Sequence, residues 1–340
     1  MTWTQESASV NQRVQLGAES TSALGTAVAA GKLIECFDFV LGIDGDVNYY
    51  TSTGHKYPSA QEENTEFVSG TLAGNLDYNG VIYPLASCMG SSAVAAHGSS
   101  ATAKDWIYTP PLTGSVVPQT YTLQQGDAIR ARQTAYLIFT EFGYKAMRKG
   151  DVTASGKFVG LPITDGITMT ASPTTIVTAP VVGKHWNVYL DTTSAGLGTT
   201  QILRCFSIDY LFTNVYGTFF PLNRANLGYT AHVDLVPKAT IKLLLEANAE
   251  GMTIPLGALE SGTTYYLRVT AQGPQIASDG PGAVYNTFQH DMAVKFGKPT
   301  AFKDEQGVYA LEWECTVVED AAWGSGKSQM VTVTNLITAL

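Results

Sequence analysis

Hydrophobic and polar positions alternate with a period of two over most of this chain, so the prediction is mainly strands. Leu33, Glu35, Phe37, Phe39 and Leu41 alternate with Ile34, Cys36, Asp38 and Val40. Both sets are largely apolar, which predicts a strand that is buried on both sides or carries an interface on one. Ile202–Tyr210 and Tyr229–Val236 alternate in the same way, and Tyr265–Thr270, Phe288–Phe296, Tyr309–Val317 and Met330–Asn335 complete the set. In Tyr309–Val317 the residues Leu311, Trp313 and Cys315 oppose Glu312, Glu314 and Thr316, predicting one buried and one polar face. Two stretches read as helices. One covers residues 79–89. The other covers 240–250, introduced by Pro237, with Ile241, Leu244 and Leu245 on one face and Gly251 as its C-terminal stop.

The pattern divides the chain. Residues 1–32 are small and polar with little periodicity and read as an extended arm, expected to order only against a partner. A long polar stretch, Asp44 to Glu66, reads as a contact-making loop. Residues 33–165 and 181–340 read as two related domains joined by a linker at 166–180. Glu35-Cys36-Phe37 answers Arg204-Cys205-Phe206, and Phe142-Gly143 answers Phe296-Gly297. Gly90 and Gly251 are matched as helix ends, and Ala154-Ser155-Gly156 is matched to Glu305-Gln306-Gly307.

Charged residues are only 14% of the chain, below the ~25% usual for soluble proteins, although hydrophobic content is an average 45%. Such a surface is expected to be covered by partners. A net charge of −9 argues against a globally basic nucleic-acid-binding domain, and no apolar run is long enough to span a membrane. Met1–Glu6 carries no signal-peptide pattern. Cys36, Cys88, Cys205 and Cys315 are solitary, as are the five histidines, so four reduced thiols and no metal site are expected.

Candidate chemistry is sparse. Ala321–Ser328 is one residue short of a phosphate loop, but an alternating strand follows it where a helix is needed, so Gly324-Ser325-Gly326 reads as a hairpin tip. Asp44, Asp46 and Asn48 resemble the start of a calcium loop, yet Tyr49 and His55 stand where the glycine and closing glutamate belong. Gly90-Ser91-Ser92 lacks the second glycine of a nucleophile elbow. No catalytic constellation or cofactor site emerges, and the chain is read as a non-enzyme.

Val14-Gln-Leu-Gly-Ala-Glu-Ser-Thr21 followed by Gly25-Thr-Ala-Val-Ala-Ala30 resembles the amino terminus of major tail tube proteins of long, non-contractile-tailed bacteriophages. Ser69–Leu85, Val116–Asp127 and the Asp304–Trp313 hairpin resemble further segments of that family, so the likeness spans nearly the whole chain. The chain is longer than simple members, which a duplication explains. The resemblance implies a duplicated tail-tube-type β-sandwich or barrel fold with a short α-helix in each half. The inner sheets of several chains are expected to join into one large β-barrel on oligomerisation. It implies a virion protein made in the host bacterial cytoplasm, forming stacked homo-oligomeric rings through which double-stranded DNA passes without specific binding. Tape measure and tail-end proteins are the implied neighbours, and no membrane insertion is expected. Two copies per chain imply three chains in a pseudo-hexameric ring, with six chains as the alternative. Competing readings are a tail terminator or baseplate hub, and a β-sandwich carbohydrate-binding module.

Within that reading the lumen falls to the polar strand faces: Ser69, Thr71 and Asn75 opposite Val68 and Leu72, and Thr230, His232 and Asp234 opposite Val233 and Leu235. Asp38 and Asp209 either join them as acidic groups that repel the DNA backbone or make inter-subunit contacts.

Overall fold

The computed structural model describes residues 9–90, 92–98, 100–222, 226–279, 282–324 and 326–340. The first half runs through β1 (Arg13–Ala18), β2 (Lys32–Ile34), β3 (Phe37–Tyr50), β4 (Ala60–Asn75), α1 (Ile82–Cys88), β5 (Ala93–Ala96), β6 (Lys104–Tyr108), β7 (Tyr121–Gly126), β8 (Ala131–Met147), β9 (Thr153–Gly160), β10 (Thr164–Ile167) and β11 (Thr174–Thr175). The second half continues with β12 (Trp186–Asp191), β13 (Gln201–Ile202), β14 (Cys205–Thr213), β15 (Tyr216–Phe219), β16 (Ala231–Asp234), β17 (Lys238–Glu246), α2 (Ile254–Ser261), β18 (Tyr265–Ala277), β19 (Val284–Pro299), β20 (Lys303–Glu305), β21 (Val308–Val317) and β22 (Gln329–Asn335). The chain is mainly β.

Eight strands form one continuous antiparallel series, β3-β4-β9-β8-β14-β17-β21-β19. One face of it feeds a shared core: Phe39, Leu72, Phe158, Phe139, Tyr210, Ile241, Leu243, Trp313 and Cys315 are all buried there. Both β8 and β19 are long and pass from this series into a second set of pairings. The first part of β8 pairs with β7 and β10, and the first part of β19 pairs with β18 and β22. Such strands turn the corner of a sandwich. In β8 the turn coincides with Tyr136, held at φ 54°, a left-handed conformation that costs a non-glycine residue energy.

The two halves repeat one topology. In each, an antiparallel pair (β3-β4, β14-β17) leads to a short helix, then a hairpin (β7-β8, β18-β19), then a strand inserted between the pair and the hairpin (β9, β21). The halves nevertheless share their outer strands. β6 pairs with β22, and Trp106 Nε1 donates to Asn335 Oδ1 at 3.1 Å.

Several expectations need correction. Residues 240–250 are not a helix: Lys238–Glu246 is strand β17, because Ala239, Ile241, Leu243 and Leu245 are buried at a period of two. Four leucine and isoleucine side chains in five positions satisfy both periods, and pairing with β14 and β21 selects the extended one. The helix lies later, after a π-type turn at Ala249–Thr253, so Gly251 precedes it rather than stopping it. Gly90 and Gly251 are therefore not equivalent, and Glu305–Gly307 is the β20–β21 turn rather than a counterpart of β9. Asp44–Glu66 is a long hairpin, not a loop, since β3 and β4 run out to Tyr50 and Ala60.

The arm is also revised. Residues 1–8, including the amino-terminal hexapeptide, lie outside the described residues, but Arg13–Ala18 is a strand between β2 and β7, with Leu16 and Gln15 buried. The stretch 166–180 is no free linker either: Thr174 and Thr175 pair with β2 and Ile176 is buried. Small residues form no core of their own, but they fit narrow gaps between strands, as Gly17 does where a Cβ would collide with the Ala29 carbonyl oxygen.

Burial sets an acid response. His290 is wholly buried, and desolvation pulls its pKa down to about 3. Its Nδ1 meets Tyr144 Oη at 3.1 Å and its Nε2 meets Gln329 Oε1 at 3.2 Å, a pairing that suits the neutral ring. The unfolded chain takes up this proton near pH 6.5 and the folded chain only near 3. The stabilisation is thus complete above about pH 6.5 and drains away as pH falls towards 3. Desolvation lowers His185 and His232 in the same sense. Urea unfolding at pH 7 and pH 4.5 is expected to show a loss of about 2–3 kcal/mol from His290. His290→Gln is expected to flatten that dependence, and an unchanged slope would contradict it.

Candidate functional site

The face of the eight-stranded series that points away from the core is polar and open. On β3 and β4 it carries Asp38, Ser69, Thr71 and Asn75, all exposed, opposite buried Phe37, Phe39, Val68 and Leu72. The expected alternation holds here, and register places Asp38 beside Ala73, and Thr71 beside Lys157. Further along, Lys157 meets Glu141 at 3.0 Å, Lys145 meets Asp209 at 3.9 Å and Lys242 meets Glu314 at 3.5 Å. These exposed pairs add little stability each. Their effect is on the field: three lysines offset Glu141, Asp209 and Glu314, and Asp38 is left as a net acidic group on this face.

Thr230, His232 and Asp234 do not join this face. Among the described residues Ala231–Asp234 pairs only with β15, as a separate hairpin inserted between β14 and β17. Thr230 and Asp234 stay exposed, but the middle residue of the set does not. His232 turns inward, with Nδ1 3.0 Å from Tyr136 Oη and its ring against Tyr216, while Val233 and Leu235 are 46% and 40% exposed. Asp234 accepts from Val116 N at 3.1 Å. Two strands alone cannot bury both faces, and the aromatic side proves the better neighbour.

The charged members of the face, Glu141, Lys145, Lys157, Lys242 and Glu314, escaped the sequence reading of the lumen. A signal was present, for Lys242 and Glu314 each sit between buried neighbours at a period of two. Reading 240–250 as a helix hid the first of them.

At one end of the face the β3–β4 hairpin projects with Tyr49, Tyr50 and Tyr57 exposed. At the other end, where β8 meets β14, a groove of about 540 Å³ is lined by Met147, Arg148, Trp186 and Arg204. Trp186 Nε1 is buried there without a hydrogen-bond partner in the described structure.

The candidate motifs resolve as ordinary structure. Lys327 closes a turn with Asp320, and strand β22 follows directly, where a phosphate loop requires a helix. Asp44, Asp46 and Asn48 lie in β3, whose extended backbone cannot wrap an ion. The four cysteines are free, and burial pushes their thiols up, Cys205 to about 12. Among the described residues no helix is long and apolar enough to cross a membrane. No family model matches the chain, and no curated protein matches it.

Proposed function

We propose that this chain is the structural subunit of a hollow phage tail tube, a virion protein that acts by assembly and carries out no catalysis. The observation behind this reading is the eight-stranded series itself: two topologically repeated halves lie edge to edge, with one face covered by core and the other polar and bare. A sheet of that kind, repeated around an axis, lines a channel. Asp38, Ser69, Thr71, Asn75 and Asp209 then face the lumen together with the Lys145, Lys157 and Lys242 ion pairs. A wall of hydroxyls, amides and paired charges gives the DNA backbone no net attraction, so phosphates slide past without being held. The low charge content fits a subunit whose flanks are covered by its neighbours.

Scale favours three chains per ring. Three sheets of eight strands spaced ~4.8 Å apart and tilted by about 40° give a circumference of about 150 Å and a backbone-to-backbone diameter of about 48 Å. That width admits a DNA duplex with a hydrated margin, whereas six chains give a bore about twice as wide. The projecting hairpin at 44–66 suits a contact with the next ring. Tape measure and tail-end proteins are the partners this role requires, and the host cytoplasm is the site of synthesis.

Negative-stain microscopy of the purified chain, with native mass spectrometry, tests the reading. Rings or tubes with three chains per ring are the expected result. Six chains per ring would refute the trimer, and a single terminal ring would favour a terminator or hub. Dispersed monomers that bind glycans would favour a carbohydrate-binding module.

A further inference from the structure

The junction between the two halves is a template for a junction between two chains. Inside the chain, the last strand of the first half's sheet (β8) pairs with the first strand of the second half's sheet (β14). Leu211 lies opposite Gly143, Asp209 opposite Lys145, and Phe212 opposite Phe142. The equivalents of these strands at the two ends of the series have free sides. Among the described residues β3 pairs with β4 alone, and the Lys295–Pro299 portion of β19, which is bulged between Phe296 and Pro299, pairs with β21 alone. Open edges of this length are pairing sites.

The residue-level correspondence between the halves follows from pairing register and one shared feature. Asp38 between buried Phe37 and Phe39 matches Asp209 between buried Ile208 and Tyr210. Stepping across the strands from Asp38 passes Ala73 and Ser155 and reaches Gly143. Stepping from Asp209 passes Lys242 and Glu314 and reaches the bulge of β19 at residues 297–298, where a Cβ on Gly297 would lie 2.8 Å from the Glu314 carbonyl oxygen. A route begun at matched aspartates thus ends at Gly143 in one half and at the bulge that holds Gly297 in the other.

We infer that β3 of one chain pairs antiparallel with β19 of a second copy, Val40 opposite Gly297 and Gly42 opposite Lys295, the pairing ending at the bulge that follows Phe296 in β19. This inference rests on the tube reading and adds to it the two edges and their register. In this register Leu41 meets Phe296 on the core side, as Phe212 meets Phe142 within the chain. On the open side Val40, 62% exposed, covers Gly297 as Leu211 covers Gly143. Lys295 is placed beside Asp44, one step along the same face from Gly42, so charges match as well. Gln125 Nε2 already donates to the Phe39 carbonyl at 2.7 Å, and the incoming strand shares or displaces that contact. A slip by one residue would turn Val40 towards the core side of its partner and is excluded by the face pattern.

Directly opposed residues in an antiparallel pair have Cα atoms about 4.5–5.5 Å apart, within disulfide reach. The test is the double variant Gly42→Cys with Lys295→Cys, assembled and then mildly oxidised. Val40→Cys with Gly297→Cys serves as a second pair, because a side chain at Gly42 crowds the Ser69 carbonyl and one at Gly297 the Glu314 carbonyl. Each double variant is expected to give covalent dimers and trimers on a non-reducing gel, with the ladder ending at three and the single variants remaining monomeric. The register is overturned if rings form but these pairs stay unlinked. It is equally overturned if Val40→Cys links instead with Lys295→Cys, two residues out of register. Absence of rings from the unsubstituted chain in the microscope counts against the tube reading itself, before any cysteine is introduced.

Discussion

Replacing Glu19 with alanine is expected to destabilise the chain by about 3–5 kcal/mol, since it strands several buried donors at once. Glu19 is 3% exposed, and its carboxylate accepts from Gly25 N at 3.0 Å, Tyr136 N at 2.8 Å, Thr120 Oγ1 at 2.8 Å and Thr122 Oγ1 at 2.9 Å. These donors come from three different segments. The carboxylate therefore fastens residues 19–25 to β7 and to the bend of β8 at Tyr136. With the acceptor gone, the left-handed Tyr136 loses the contact that holds it, and the corner between the two sets of pairings loosens. Glu19→Gln, which keeps one acceptor oxygen, is expected to lose roughly half as much. Urea midpoints at pH 7 measure both. A loss below about 1 kcal/mol for the alanine variant would show that the segment is not fastened there.

The second large effect follows from the proposed tube role and concerns passage of DNA. Asn75→Lys, Ser155→Lys and Thr240→Lys together place three new cations per chain on the polar face, each away from the existing lysines' direct cross-strand positions. Surface substitutions of this kind change stability by only about 0.5 kcal/mol each, so folding and assembly are expected to persist. The wall becomes cationic and binds phosphate. DNA release from virions carrying the variant is expected to slow at least about tenfold at low salt and to recover as salt rises, because bound counterions compete for the same phosphates. Asp234 is not part of this set, since its strand lies in the peripheral hairpin. If the triple variant fails to assemble, these residues pack against a neighbour. If it assembles and release is unchanged, the face does not line the channel.

How far the fold was legible can be judged strand by strand. Tyr309–Val317 was readable because Trp313 and Cys315 alternate with Glu312 and Glu314, leaving no helical solution. Residues 238–246 were not, because Ile241, Leu243, Leu244 and Leu245 are compatible with either period. The matched Phe-Gly dipeptides at 142–143 and 296–297 fall on β8 and β19, each beside the strand that follows its hairpin, whereas Gly90 follows a helix and Gly251 precedes one. A glycine is demanded by local backbone needs that arise in unrelated places.

The candidate surface divides the same way. Asp38, Ser69, Thr71 and Asn75 could be assigned to one face from alternation alone, since side chains along a strand point alternately up and down wherever the strand lies. Thr230, His232 and Asp234 could not, because alternation tells which residues share a side and is silent about which side is covered. Neighbours far away in the chain, Tyr136 and Tyr216, covered the histidine's side.

By itself, then, the sequence determined that the chain is built of strands, where most of them run, and which side chains of each strand stand together, all consequences of local geometry with a period of two. Only the tertiary structure decided that β8 abuts β14, that residues 13–18 are a strand within the fold, and that the 216–234 hairpin lies outside the central series. Those outcomes depend on hydrogen bonds and burial between residues tens to hundreds of positions apart, and no local pattern carries that information.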